Sequence, residues 1–156
     1  MIALTTIDLI IRIAVALGFG TLIGLERTLA GKTAGMRTYA MASLGSCLFI
    51  LISEIVLSTL SNPELANPLL VASSIITGIG FIGAGLVIFQ SDKIMGLTTA
   101  AGLWVSAGVG IASGFGLFSL AIIATIAALI VFTLMWFIEN FIKKFSYENE
   151  EKKWMK

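Results

Sequence analysis

The residues best equipped for chemistry stand in two short runs, Glu26-Arg27 with Arg37-Thr38, and Thr98-Thr99 just after Gly96. In the first run a carboxylate and two guanidinium groups flank a loop that contains Gly31 and Gly35, which lets the chain turn tightly. Glu26-Arg27 and Arg37-Thr38 are expected to pair across a helical hairpin and fix its topology. The functional alternative is an anion or lipid-headgroup site built from Arg27 and Arg37, or a docking surface for a partner. Thr98 and Thr99 are placed to cap the start of a helix. A helix N-terminus and two hydroxyls beside a glycine-rich segment is also how membrane proteins build small polar or ionic sites.

Little else is reactive. There is no histidine, and Cys47 is the only cysteine, set in an apolar run where it reads as a packing residue. These absences remove histidine triads, His-ligated metal sites and any intrachain disulfide. The expectation is a protein that is not an enzyme, with no catalytic residue, no metal ligand and no cofactor.

The elements that must position these residues follow from composition. Of 156 residues, 58% are hydrophobic and 12% charged, and mean hydropathy is +1.02. Soluble domains carry about 25% charged residues, so this chain reads as an all-α integral membrane protein. The net charge of +1 says nothing about nucleic acid, but no basic stripe interleaved with aromatics is present, and no nucleic-acid partner is expected. The opening MIALTTIDLIIR has no basic n-region, and no A-x-A cleavage site follows. It is read as a first span.

A span needs about 20 mostly apolar residues. Five segments qualify: about 6–25, 39–60, 69–90, 97–113 and 115–138, forming one transmembrane domain over 1–142 with a charged tail at 143–156. SNPELANP, between spans two and three, holds both prolines and reads as a turn. Loop 26–38 carries Arg27, Lys32 and Arg37, loop 91–96 carries Lys93, and the tail is rich in lysine. By the positive-inside rule the N-terminus is outside and the tail cytoplasmic. Asp8 and Arg12 share a helix face and are spaced to pair. They and Glu54 sit near the outer boundary, clear of mid-membrane, where a charge costs about 2.5–3.5 kcal/mol.

Small residues mark the packing faces. Gly20 and Gly24 form G-x-x-x-G in span one. Thr98, Gly102, Ser106, Gly110 and Gly114 stand four apart in span four. Span three crowds Gly78, Gly80, Gly83, Ala84 and Gly85 into two turns. Such faces let helix backbones approach in lipid, so spans one, three and four are expected at the centre and span five against lipid. Gly78-Ile-Gly80-Phe-Ile-Gly83 matches G-x-G-x-x-G, but it lies inside a span without the required strand and acidic residue. A nucleotide site is rejected.

Residues 20–38, GTLIGLERTLAGKTAGMRT, resemble the signature of the MgtC/SapB family of bacterial inner-membrane proteins, close to G-x-x-I-G-x-E-R followed by A-G-x-R-T. GIGFIGAG and GLTTAAGLWVSAGVGIASGFG resemble its second half. The residues carrying the first block are Gly24, Glu26, Arg27, Ala34, Gly35, Arg37 and Thr38. In the second they are Gly78, Gly80, Phe81, Gly83, Ala84 and Gly85, then Gly96 to Ala101, with Trp104. The resemblance implies a multi-pass inner-membrane protein of about five spans. Where family members carry an Asp-Pro-x-Arg-x-Ala-Ala-Gln-like run, this chain has Asn67, Leu70 and Ser74 in place of the acid, the arginine and the glutamine. It resembles a short form without the C-terminal soluble domain of the better-known members.

The best-known members support growth in low magnesium and survival inside macrophages. They are thought to act on other membrane proteins, including the ATP synthase, and magnesium transport has not been upheld for them. The resemblance therefore implies a non-enzymatic modulator whose partners are membrane lipid, further copies of itself in a homo-oligomer, and another inner-membrane protein. The alternative is an oligomeric transporter or channel for a small ion or solute, with its site between spans three and four.

Overall fold

The computed structural model describes residues 4–60, 67–90 and 93–154, and side chains as far as Ile142 apart from Gln90. Five helices are long and apolar enough to cross a membrane, which makes this a multi-pass membrane protein. They are α1 Thr6–Leu29, α2 Met36–Thr59, α3 Pro68–Gly85, α4 Leu97–Gly114 and α5 Phe118–Trp154. Between α3 and α4 stands an antiparallel hairpin of β1 Ile88–Gln90 and β2 Lys93–Met95, in the register Ile88 with Met95 and Phe89 with Ile94.

The boundaries differ from the sequence reading in ways that matter for the candidate residues. α1 continues to Leu29 and α2 starts at Met36, so Glu26, Arg27, Arg37 and Thr38 lie on helices instead of in a loop. α3 stops at Gly85, short of the expected residue 90, where Leu86 N–H bonds back to the Gly83 carbonyl. The apolar run continues past that point, but Ile88 and Phe89 are strand formers, and they pair with the residues that lead into α4. Gly96 closes the hairpin at φ +88°, and a Cβ there would lie 2.9 Å from the Leu86 carbonyl carbon, so only glycine fits. Of the expected turn SNPELANP, residues 61–66 lie outside the described residues. Its end starts α3: Asn67 Oδ1 accepts the Leu69 N–H at 2.9 Å, and Pro68 takes the first helical position. α5 runs without a break into the charged tail.

The centre of the bundle is α4, the most buried span and the one that touches all four others; α1 and α2 join it in the core, and α3, expected there, stays at its edge. α1 packs antiparallel to α2, α4 packs parallel to it, and α1 and α4 also touch each other, so the three close on a shared face of α2. Added Cβ atoms at Gly20 and Gly24 would lie 2.7 Å from Ser43 Cβ and Met36 Cα, so α1 meets the first half of α2 backbone to backbone. Along α4, Ser106 Oγ donates to the Tyr39 carbonyl at 2.9 Å, and a Cβ on Gly114 would stand 2.7 Å from Ile50 Cβ. α2 thus shows both neighbours one row of buried residues: Tyr39, Ser43 and Cys47, each 0% exposed.

By contrast, a Cβ added to Gly78, Gly80 or Gly85 of α3 would meet nothing within 4 Å, and one at Gly83 would make only ordinary contact with Ala100. Glycine density reports that a backbone can be approached; it does not say that anything inside the protomer approaches it. α5 buries one stripe, Ala121, Thr125, Ala128 and Phe132, and leaves its other faces exposed.

Candidate functional site

The two ends of the three-helix core are closed by different polar clusters. At the end that the basic loops assign to the cytoplasm, Arg27 is only 4% exposed. Its Nε donates to the carboxylate of its neighbour Glu26, and its guanidinium carbon lies 3.7 Å from the centre of the Phe132 ring. A buried guanidinium is tolerable only when paired, and here the sequence neighbour and an aromatic face from α5 supply the partners. Beside them Tyr39 Oη donates to the Thr99 carbonyl at 2.9 Å. Gly102 makes room for this contact, since a Cβ there would stand 2.7 Å from Tyr39 Oη and also strike the Phe132 ring.

Glu26, Arg27, Thr99, Gly102 and Ser106 therefore converge, around Tyr39 and Phe132. Arg37, Thr38 and Thr98 do not join them, and all three are exposed. The expected pairing of Glu26 with Arg37 across the hairpin is absent, because Glu26 is engaged by the buried Arg27. What closes the hairpin is Thr28, whose Oγ1 accepts the Met36 N–H at 3.1 Å and donates to the Gly24 carbonyl at 3.0 Å. Nor does a threonine cap α4: the N-cap is Gly96, with no side-chain cap, and Thr99 is buried one turn in.

At the opposite end Arg12 Nη1 donates to Glu54 Oε2 at 2.7 Å and to the Gly114 carbonyl at 2.5 Å. One side chain thus ties α1, α2 and the end of α4. Asp8 is not its partner: Asp8 Oδ2 accepts from Thr5 N and Thr5 Oγ1 at 3.0 and 2.6 Å, closing a capping box at the start of α1.

In the interior, hydroxyls are spent on backbone. Ser43 donates to the Ala16 carbonyl at 2.8 Å, and Ser106 to Tyr39. Ser46, Ser113 and Thr125 each donate to a carbonyl of their own helix. Among the described residues no group of three or more His, Cys, Asp or Glu side chains is placed to hold a metal ion. These groups hold helices together.

The open face of the protomer is the seam between α3 and α4. A shallow depression of about 520 Å³ there is lined by Gly80, Gly83, Ala84, Ala100, Ala101 and Trp104, among others. The wall is made of backbone and small side chains, with Trp104 52% exposed at its side.

The likeness to known proteins extends over most of the chain. A model of the MgtC family matches residues 13–141. The chain belongs to the MgtC family. Over 128 residues it is 37% identical to the Escherichia coli K12 protein named "Putative magnesium transporter YhiD", covering 81% of this chain and 60% of that one. It is 39% identical over 116 residues to Protein MgtC of Brucella abortus, covering 74% of this chain and 46% of the relative. To Protein MgtC of Salmonella typhimurium it is 39% identical over 120 residues, covering 77% and 49%. The chain spans about half to three-fifths of the length of these curated relatives. No solved structure matches it. The family match encloses the Arg27 cluster, the α2 row and the α3–α4 seam, and it begins one residue after Arg12.

Tyr39, Ser43, Phe132 and the Arg12–Glu54 pair were not singled out by motif or spacing. The spacing of four from Tyr39 to Ser43 to Cys47 is the signal that marks α2 as a helix packed along its length.

Proposed function

We propose that this MgtC-family chain acts in the bacterial inner membrane as a non-enzymatic modulator of other membrane proteins during stress or low-magnesium adaptation. One observation carries this reading. The small-residue seam of α3 and α4 is left open by the protomer, although small residues in lipid are the means by which helices meet. Gly80 and Ala84 stand four apart on α3, in the spacing that admits a crossing helix. That helix belongs either to another inner-membrane protein or to a second copy in a homo-oligomer. The interior supports the same reading, since its buried hydroxyls are committed to backbone carbonyls.

The test is co-purification from native membranes after cross-linking, comparing wild type with Gly80→Leu and Ala84→Leu. Recovery of a membrane protein, or of a second copy, by wild type but not by the folded variants supports the proposal. Recovery of nothing above background from wild type counts heavily against it.

The alternative is an oligomeric transporter or channel for a small ion or solute, suggested by the name of the YhiD relative and using the same α3–α4 seam. Reconstituted vesicles decide it: flux of Mg²⁺, Na⁺, K⁺ or H⁺ down a gradient selects the transporter, and vesicles that stay tight remove it.

A further inference from the structure

On another flank of α3 lies a second and larger cleft, of about 710 Å³, between α2 and α3. Apart from Ile79 it shares no lining residue with the α3–α4 depression. Its α2 wall is Met41, Gly45 and Phe49, and facing them on α3 are Ile75, Gly78 and Ile82. The size falls within the range of about 300–1,000 Å³ typical of small-molecule sites. The lining is almost wholly apolar, and both walls belong to membrane spans.

Its mouth is polar and positive. Arg37, Met41, Gly45 and Phe49 stand four apart, so they share one face of α2. The last three line the cleft, and Thr38 lines its near end. Arg37 therefore stands one turn past Met41 on the face that forms the cleft, about 6 Å along the helix. It is exposed, and no ion pair or side-chain hydrogen bond engages it among the described residues. Lys32, in the adjoining turn, is a second exposed cation.

An apolar slot within a span, with a free guanidinium at the membrane boundary, has the charge and polarity pattern of one ligand class. We propose that the α2–α3 cleft is a binding site for an anionic phospholipid, with an acyl chain between Met41, Phe49, Ile75 and Ile82 and the headgroup phosphate at Arg37. Charge complementarity selects this occupant. Basic groups at the cytoplasmic surface attract anionic lipid, and an arginine matches phosphate geometry by bidentate hydrogen bonding. A crossing helix would satisfy the slot but would leave Arg37 without an anion. The site does not depend on what docks at the α3–α4 seam.

The probe is phosphatidylglycerol carrying a photoactivatable group in its acyl chain, in phosphatidylcholine vesicles holding the full chain. A phosphatidylcholine probe of the same chain serves as the comparison. Adducts are mapped by mass spectrometry. The expected result is labelling concentrated on α2 and α3 cleft residues, severalfold stronger with the anionic probe. Arg37→Gln should reduce it severalfold, Arg37→Lys should retain most of it, and Gly45→Trp should abolish cleft labelling by filling the slot. Arg37 is exposed, so its variants leave the fold intact, and circular dichroism checks this. Equal labelling by the two probes, or no effect of Arg37→Gln, would overturn the proposal in favour of ordinary surrounding lipid. A disulfide-linked dimer formed by Gly45→Cys, absent from wild type with its buried Cys47, would also overturn it by placing a second copy in the cleft.

Discussion

Gly110 rests on the peptide group of Ser43, so closely that a methyl group on Gly110 would stand 2.7 Å from the Ser43 carbonyl carbon. Backbone is the least yielding neighbour a side chain can have. Gly110→Ala should therefore destabilise the protomer by about 1–3 kcal/mol, and Gly110→Leu should prevent folding. Thermal unfolding in detergent reads both. The matched control is Gly108→Ala on the same helix, where the added Cβ meets nothing within 4 Å. It should be neutral or raise stability by about 0.5–1 kcal/mol, because alanine loses less backbone freedom than glycine.

Gly80→Leu should behave in the opposite way to Gly110→Leu. The added side chain enters open space, so the protomer should keep its wild-type unfolding temperature while its self-association or partner capture is lost. Light scattering in detergent or nanodiscs measures the first of these. Loss of the fold in Gly80→Leu would mean that the α3–α4 seam is closed in the working protein by its own chain.

The Arg12 cluster predicts coupling between helices that are far apart in sequence. Arg12→Gln should cost about 1.5–3 kcal/mol, the range for hydrogen bonds to a charged group. Glu54→Gln should cost less, because Arg12 keeps the Gly114 carbonyl. A double-mutant cycle should return a coupling energy above the scatter of about 0.3–0.5 kcal/mol expected for independent sites. Strict additivity would show that the pair is solvated and does not tie α1 to α2.

Phe132 is expected to matter through its face more than its volume. Phe132→Leu preserves an apolar contact with α4 but removes the ring beneath Arg27, and should cost about 0.5–2 kcal/mol. In an Arg27→Met background the same change should cost clearly less. An equal cost in both backgrounds would rule out the cation–ring contact.

The sequence made the five spans legible, because a stretch of about 20 apolar residues has few other uses. It also showed the α4 row from Gly102 to Gly114, where small residues recur at the helical period and do pack. Three other features were not legible. The end of α3 was hidden because Ile88 and Phe89 are as apolar as the helix before them. The part α2 takes in the core was hidden because its packing row is made of Tyr39, Ser43 and Cys47, which no count of glycines detects. The partner of Glu26 was hidden because pairing depends on which guanidinium is buried: Arg27 is taken into the interior and Arg37 is not, a difference of tertiary packing alone. The glycines of α3 misled for a related reason. All but Gly83 face outward, and a sequence does not say whether a small residue is small for its own fold or for a visitor.

The interruption of the core by α3 sets an order of assembly during synthesis. Chains emerge N-terminus first, so α1 and α2 can zip together early through Gly20, Gly24 and Ser43. The Tyr39–Ser43–Cys47 row of α2 must then wait, half covered, while α3 and its hairpin are delivered to the side, until α4 arrives to complete its burial. In that interval the Tyr39 hydroxyl has no Thr99 carbonyl to bond, and the half-made protein shows the translocation machinery a sticky helix face that the finished one conceals.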